Sequence, residues 1–253
     1  MNREFPDDIA FGRHPAEMIL KNPESTIDRI WVQQDVHFPD AFRSILFAVK
    51  KRGIKLNFVD KKTLDRLTNG AVHQGIVVRM MVCRPIDYDE LLNMPDVSEP
   101  RCFMVLDHLQ DPRNLGAVFR SAAAAGIHGI LLPRHGSAPL SGAAMKASAG
   151  TLSQVPVALI GNLAAVLRDL KNRNFWIVGV SHDGTTLLDS STFPERTVFV
   201  LGGEDTGLRP VLRKECDEIR AIPMRGPAGS LNVSVAAGIV LYEWVRTRTG
   251  QTR

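Results

Sequence analysis

The stretch IPMRGPAGSLNVSVAAGIVLYE, residues 222–243, divides into three parts with different physics. It starts at the end of a strand-like run, 218–222, and crosses a segment rich in Gly and Pro. It closes in a sequence whose apolar residues fall on nearly every face of a helix. A helix that is apolar all round belongs in a core, so a buried helix is expected over 231–246. Ser230 stands where its N-cap is expected. Ser230, Asn232 and Ser234 then lie at the mouth of a buried helix, where each polar group needs a partner from the protein or from a ligand. Capping accounts readily for Ser230 and less well for Asn232.

Upstream, the same alternation repeats. CFMVL, 102–106, is a continuous apolar run suited to a strand buried on both faces, and a polar turn and an Ala-rich helix follow it. Further strand-like runs fall at 129–132, 175–180, 197–201 and 218–222, with helical patterns at 162–173 and 209–215. The class is α/β, a mostly parallel sheet covered by helices. Before it, residues 84–100, RPIDYDELLNMPDVSEP, carry Pro and acids and a short helical pattern over 89–93, and read as an interdomain linker. Residues 1–83 form a small α/β unit, with helices at 14–20, 42–52 and 61–68 and strands at 27–32, 55–59 and 75–81. The second domain is 101–253.

Composition excludes more than it selects. With 253 residues, 44% hydrophobic and 23% charged, the chain has ordinary globular character and enough length for a sizeable core. Thirty-one Lys and Arg against 27 Asp and Glu leave +4, a mild excess compatible with nucleic acid. Cys83, Cys102 and Cys216 are too few and too dispersed for a disulfide framework or a clustered zinc site, and fit a reducing cytoplasm. The first residues carry charges and Pro where a signal peptide needs an apolar run, and no segment approaches a membrane span, so a soluble cytoplasmic protein is expected. The dinucleotide glycine fingerprint, a Walker loop and a zincin helix are absent, and no metal is expected.

In open α/β sheets ligands gather beyond the carboxyl ends of the strands, and three loops there are unusual: DHLQDPRNLGAVFR (107–120), GGEDTGLRP (202–210) and PMRGPAGSLNVS (223–234). In the first, Asp111 or Asn114 can cap the following helix, with Pro112 in its first turn. Gly116 and Arg120 lie four apart on one helix face, so Arg120 can lean back over the space at Gly116 and add its charge to the positive helix end. That makes either an anion site or a capped helix whose Arg pairs with a surface acid. In the second, Gly202 and Gly203 allow close approach to a ligand or positive φ, ahead of Glu204, and a purely conformational role stays open. His108 reads as a surface or hydrogen-bonded residue, and His182–Asp183 as an isolated pair in a turn.

Together, NLGAVFR, LGGEDTGL and IPMRGPAGSLNVSVAAGIVLYE resemble the three ordered motifs of the SpoU family in the SPOUT methyltransferase superfamily, over 101 to the carboxyl terminus. The amino-terminal unit, with FGRHPAEMIL and HQGIVV, is similar to a ribosomal-protein-like RNA-binding domain. The resemblance implies a SPOUT fold with a deep trefoil knot, an exception to unthreaded chain paths. It implies a homodimer with sites near the subunit interface and S-adenosylmethionine bent within the knot. The implied reaction is ribose 2′-O-methylation of RNA, at a guanosine in the peptidyl-tRNA-binding loop of 23S rRNA or of a large-subunit precursor. A tRNA or antibiotic-resistance rRNA ribose methyltransferase, or a non-catalytic RNA-binding or ribosome-assembly protein, are the alternatives.

Carried over by motif, Gly202, Ile222 and Leu231 hold the cofactor largely through backbone groups, and Asn114, Arg120, Glu204, Ser230 and Asn232 form the catalytic, substrate-orienting set. Asp205 and Thr206 depart from the commoner family residues. Arg13, Lys50, Lys51, Arg52, Lys61 and Lys62 are expected to supply RNA affinity, the other reading being a solvated helix face.

Overall fold

Alternation builds the first sheet. In a computed structural model, which describes residues 8–22, 25–94, 100–184, 186–187, 193–204, 206–227 and 229–249, the chain forms two compact units. One takes the chain up to Cys83 together with Pro139–Gly142, and the other takes Arg84–Ala138 and Ala143 onward. The first unit runs β1 (Ile9–Phe11), α1 (Arg13–Lys21), β2 (Ile27–Gln33), α2 (Asp40–Lys51), β3 (Leu56–Val59), α3 (Lys61–Leu67) and β4 (Ile76–Met80). Its sheet has the order β1-β4-β2-β3, with β2 and β3 parallel and the other pairs antiparallel. Successive residues point to opposite faces. Ile30, Val32, Ile76 and Val78 therefore join Ala16, Leu20, Phe42 and Leu46 in one core cluster, while Trp31 and Val77 pack with Leu64 in another.

The second unit continues through α4 (Tyr88–Leu92), β5 (Arg101–Leu106), α5 (Pro112–Ala125), β6 (Gly129–Pro133), α6 (Gly142–Ala147), a 3-10 turn (Thr151–Ser153), β7 (Val157–Ile160) and α7 (Leu163–Asn172). It ends with β8 (Trp176–Val180), β9 (Thr186–Leu187), β10 (Arg196–Leu201), α8 (Pro210–Arg213), β11 (Glu218–Ala221) and α9 (Val233–Thr249). The sheet is parallel throughout, in the order β7-β6-β5-β10-β8-β11-β9. β5 and β10 are central and, as expected of such runs, buried along all but their first residues. Phe103, Val105, Val198 and Val200 pack with Ile177, Leu167 and Leu212, each buried aliphatic or aromatic side chain contributing about 1.5–3 kcal/mol.

Two readings of the sequence change here. In the 84–100 segment, Ile86 bridges Ala158 of β7 and Leu91 and Leu92 are buried in the second core, so residues 84–94 are packed structure; 95–99 lie outside the described residues. Nor is α9 buried all round. Ala237, Val240, Leu241 and Trp244 are inside, but Val235, Ile239 and Tyr242 are 50%, 37% and 69% exposed and form a stripe at i, i+4 and i+7.

Candidate active site

The strand order reverses where β10 lies between β5 and β8, which places four carboxyl ends side by side. β5 and β10 pair in step from Arg101 opposite Arg196 to Leu106 opposite Leu201, so Asp107 and Gly202 leave the sheet level with each other. A cavity of about 590 Å³ opens at this edge. Gly202, Ile222 and Leu231 all line it, together with Glu204, Ser230 and Asn232.

Its polar groups are tied across loops far apart in sequence. Asn114 Nδ2 donates to Glu204 Oε1 at 2.6 Å, and Asn232 Nδ2 donates to Asn114 Oδ1 at 3.1 Å. Asn232 Oδ1 in turn accepts from the Ser234 amide at 2.9 Å and its hydroxyl at 2.6 Å. One hydrogen-bonded chain thus joins the loops after β5, β10 and β11, each link fixing the orientation of the next. Asn114 is free for this because Asp111 is the cap of α5, accepting from the Arg113 amide at 2.8 Å with Pro112 in the first turn.

The cap of α9 differs from expectation. Asn232 fills that place: its side chain accepts from Ser234 N and its carbonyl from Ala236 N at 2.9 Å. The helix starts at Val233, two residues later than its apolar pattern suggested, because Asn232 is the polar group able to close the first turn. Ser230 is left exposed on the cavity wall.

Gly116 also has a different purpose. A Cβ there would stand 2.3 Å from the Ala144 carbonyl oxygen and 2.6 Å from Ala147 Cβ, so its space is filled by the packing of α5 against α6 and is not an open cradle for an anion. Arg120 is exposed on α5, outside the cavity lining. Among the described residues it has no surface acid pairing with it at salt-bridge distance.

Gly202 and Gly203 answer to the protein's own backbone. A Cβ on Gly202 would lie 1.9 Å from the carbonyl carbon and oxygen of Gly207, and Gly207 N donates to Gly203 O at 3.0 Å. Gly207 is the residue at positive φ, 59°. Thr206 is on the cavity wall, and Asp205 lies outside the described residues.

One pair at the site has no signal in the local sequence. Asp107 is buried, accepting from Arg209 Nε at 2.5 Å and Nη2 at 2.8 Å, and it is 2.7 Å from His108 Nδ1. His108 is therefore hydrogen-bonded, at a φ of 56°. The pair rivets the first loop to the second, and it was invisible without knowing that β5 and β10 are neighbours. Arg209→Ala should cost about 2–3 kcal/mol, below the range for a fully buried pair because the Arg209 side chain is 38% exposed. Thermal melting should fall by roughly 5–10 °C; an unchanged melt would show that His108 alone satisfies the carboxylate.

The loop after β8 departs from its reading as an isolated pair in a turn: Ser181 and His182 line the cavity, and Asp183 accepts from Ser181 and Arg213. The carboxyl-edge rule that selected the other loops applies to it equally. The Ser181 hydroxyl and Arg213 hold the Asp183 carboxyl down at about 2, so it is ionised at neutral pH. Burial pushes the Cys83 and Cys216 thiols up to about 11 and about 12, which leaves neither as a thiolate nucleophile.

Comparison with known proteins meets this geometry. Residues 101–242 match the SpoU rRNA Methylase family, and 9–81 match the RNA 2′-O ribose methyltransferase substrate-binding family. The chain belongs to the SpoU rRNA methylase family. The 23S rRNA (guanosine-2′-O-)-methyltransferase RlmB of Salmonella typhi is 39% identical over 242 residues, covering 96% of this chain and 99% of that protein. RlmB of Escherichia coli K12 is 34% identical with the same coverage. In fold, the SpoU methyltransferase AviRb of Streptomyces viridochromogenes, solved with AdoMet, superposes with a TM-score of 0.61 at 23% identity, over 95% of this chain and 90% of AviRb.

Proposed function

We propose that this SpoU-family chain is an S-adenosylmethionine-dependent RNA ribose 2′-O-methyltransferase acting on a guanosine of 23S rRNA. The observation that carries the reading is that Glu204 and Asn232, both on the wall of a cavity at the sheet's carboxyl edge, are joined through Asn114, which lies outside that wall's lining. Near-full-length likeness to RlmB supplies the substrate.

The cavity fits the methyl donor. About 590 Å³ is within the range of small-molecule sites, and the apolar side chains of Val180, Leu201, Ile222 and Leu231 offer a bed for a purine. Leu231 is 38% exposed, an apolar surface awaiting a cover. The tight turn at Gly202 keeps side chains away, so backbone groups of the loop face the ligand. When bound, the donor supplies an electrophilic methyl on a positively charged sulfur.

Positioning is the protein's main contribution. Asn114 and Asn232, locked to each other, orient the ribose, and Glu204 keeps one carboxylate oxygen for the nucleotide or a guanidinium. Arg120 stays protonated, clamps the adjacent RNA phosphate and stabilises the developing alkoxide. The protein works as a homodimer, and the exposed stripe of Val235, Ile239 and Tyr242 supports that assembly. α9 at Gly238 lies over Ser121 of α5, next to Arg120, so a dimer built on this stripe offers Arg120 to the partner's cavity. The deep trefoil knot belongs to the same reading and follows from membership of the SpoU family.

The amino-terminal unit supplies RNA affinity, and the setting is the bacterial cytoplasm. Among the described residues, no helix is long and apolar enough to cross a membrane. Mapping 2′-O-methyl groups in 23S rRNA from cells with and without the protein tests the whole. One guanosine losing its methyl, restored by adding protein and S-adenosylmethionine to that rRNA, is the expected result. Unaltered 23S rRNA with a lost tRNA methyl would overturn the substrate assignment.

A further inference from the structure

The amino-terminal unit carries two large aromatic side chains in water. Phe47 on α2 is 60% exposed and Phe58 on β3 is 59% exposed, and both border one cavity of about 380 Å³. β3 is the edge strand of its sheet. Residues 43, 47, 50 and 51 recur at helical spacing on one side of α2, so Arg43, Lys50 and Lys51 surround Phe47. Lys51 Nζ is 4.8 Å from the Phe47 ring centroid. Among the described residues no carboxylate lines this cavity, although Asp40 pairs with Arg43 nearby.

A second cavity, of about 540 Å³ and bordered by Arg13, Lys61 and Gln74, with the Asp65 carboxylate held by His73 also on its wall, shares Gln33 and Val36 with the first. The two are therefore contiguous along the surface of this unit.

Leaving two phenyl rings in solvent forgoes the stabilisation their burial would give, and clustering them among cations needs a partner that uses both features. A second copy of this face is a poor one, since a two-fold interface would set these cations against their own kind. Unpaired nucleotides match on both counts: every base has a planar face to stack, and every phosphate carries a negative charge.

We propose that this face is a stacking site for single-stranded RNA. One unpaired base lies on Phe47 and another on Phe58, while Arg43, Lys50 and Lys51 hold the intervening phosphates and Arg13 and Lys61 continue the track. The inference rests on the RNA reading above and adds which part of the RNA the unit grips: an unpaired loop, and not a duplex.

The test is fluorescence anisotropy of the full chain with a labelled oligouridine and with a 23S rRNA hairpin carrying an unpaired loop, over a range of salt. Phe47→Ala and Phe58→Ala should each weaken binding by about tenfold, and the double variant by about fiftyfold or more, with an unchanged salt slope. Lys50→Ala with Lys51→Ala should instead lower the slope by about 1 to 2. Phe58→Trp should keep wild-type affinity and lose indole fluorescence when RNA binds. In methyl transfer the same loss should appear as a raised KM for RNA in the double Phe variant.

If the double Phe variant binds within twofold of wild type while the Lys variant loses affinity, stacking is overturned and the RNA reading stands. Dissociation of a dimer by the double variant, with RNA affinity intact, would also overturn it by making the face a contact between copies. A wild-type chain that neither binds nor methylates RNA would sink the underlying reading itself.

Discussion

Arg120→Ala should abolish methyl transfer, by at least about 10²–10³-fold in kcat, while affinity for S-adenosylmethionine stays within a few-fold. The separation follows from where Arg120 sits. It is exposed on α5 and absent from the cavity lining, so its loss takes nothing from the donor's bed. On the proposed mechanism, what is lost is a fixed positive charge for the phosphate and for the oxygen that gains negative charge as its proton leaves. If the proposed homodimer forms on the exposed stripe of α9, Arg120, next to Ser121 beneath that helix, is the residue proposed to enter the partner's cavity. Mixing Arg120→Ala with Glu204→Ala protein should then recover about a quarter of wild-type activity: half the dimers are mixed, and each has one intact site. A mixture as inactive as its parents would return the guanidinium to its own chain's site, and near-normal turnover of the single variant would remove Arg120 from the chemistry.

Gly202→Ala should be the most damaging single methyl in the chain's second unit. The added Cβ would sit 1.9 Å from two backbone atoms of Gly207 and 2.3 Å from Leu208 N, and backbone cannot swing aside as a side chain does. The turn must open, the Gly203–Gly207 bridge must break, and the wall carrying Glu204 must move. A cost of about 3 kcal/mol or more is expected, with at least a hundredfold loss of S-adenosylmethionine affinity by calorimetry. Gly161→Ala is the control, since nothing lies within 4 Å of a Cβ there, and its melt should shift by no more than about 0.5 kcal/mol in equivalent stability. Wild-type binding and melting by Gly202→Ala would mean that the turn is not what shapes the cavity.

The fold was legible wherever burial writes a long pattern. CFMVL and TVFVL announce strands covered on both faces, and both prove central. Ile9–Phe11 and Thr186–Leu187 are too short to write any period, and Val157–Ile160 follows a Pro in a run of four. Much of the site was legible because three loops were conspicuous, yet its construction was not. Gly116 and Gly202 look like freedom for a ligand and are occupied by the protein's own chain. Ser230 and Asn232 are both good caps, and only the path of residues 229–233 decides between them. Asp107 was hidden for a different reason: its partner Arg209 is 102 residues away, joined to it by a strand pairing that local sequence does not encode.

The bonds from Asn114 to Glu204 and Asn232 span 90 and 118 residues, separations that make the reaction chamber a late product of folding. Helices of the second unit can form on local information, but its parallel sheet needs long-range pairing, and the polar constellation closes only when α9 docks as well. A chain whose β5 to β8 region has already condensed holds one side of a pocket and no catalytic geometry. Catalytic competence therefore reports completed folding, and refolding followed by methyl transfer should lag behind recovery of helical signal.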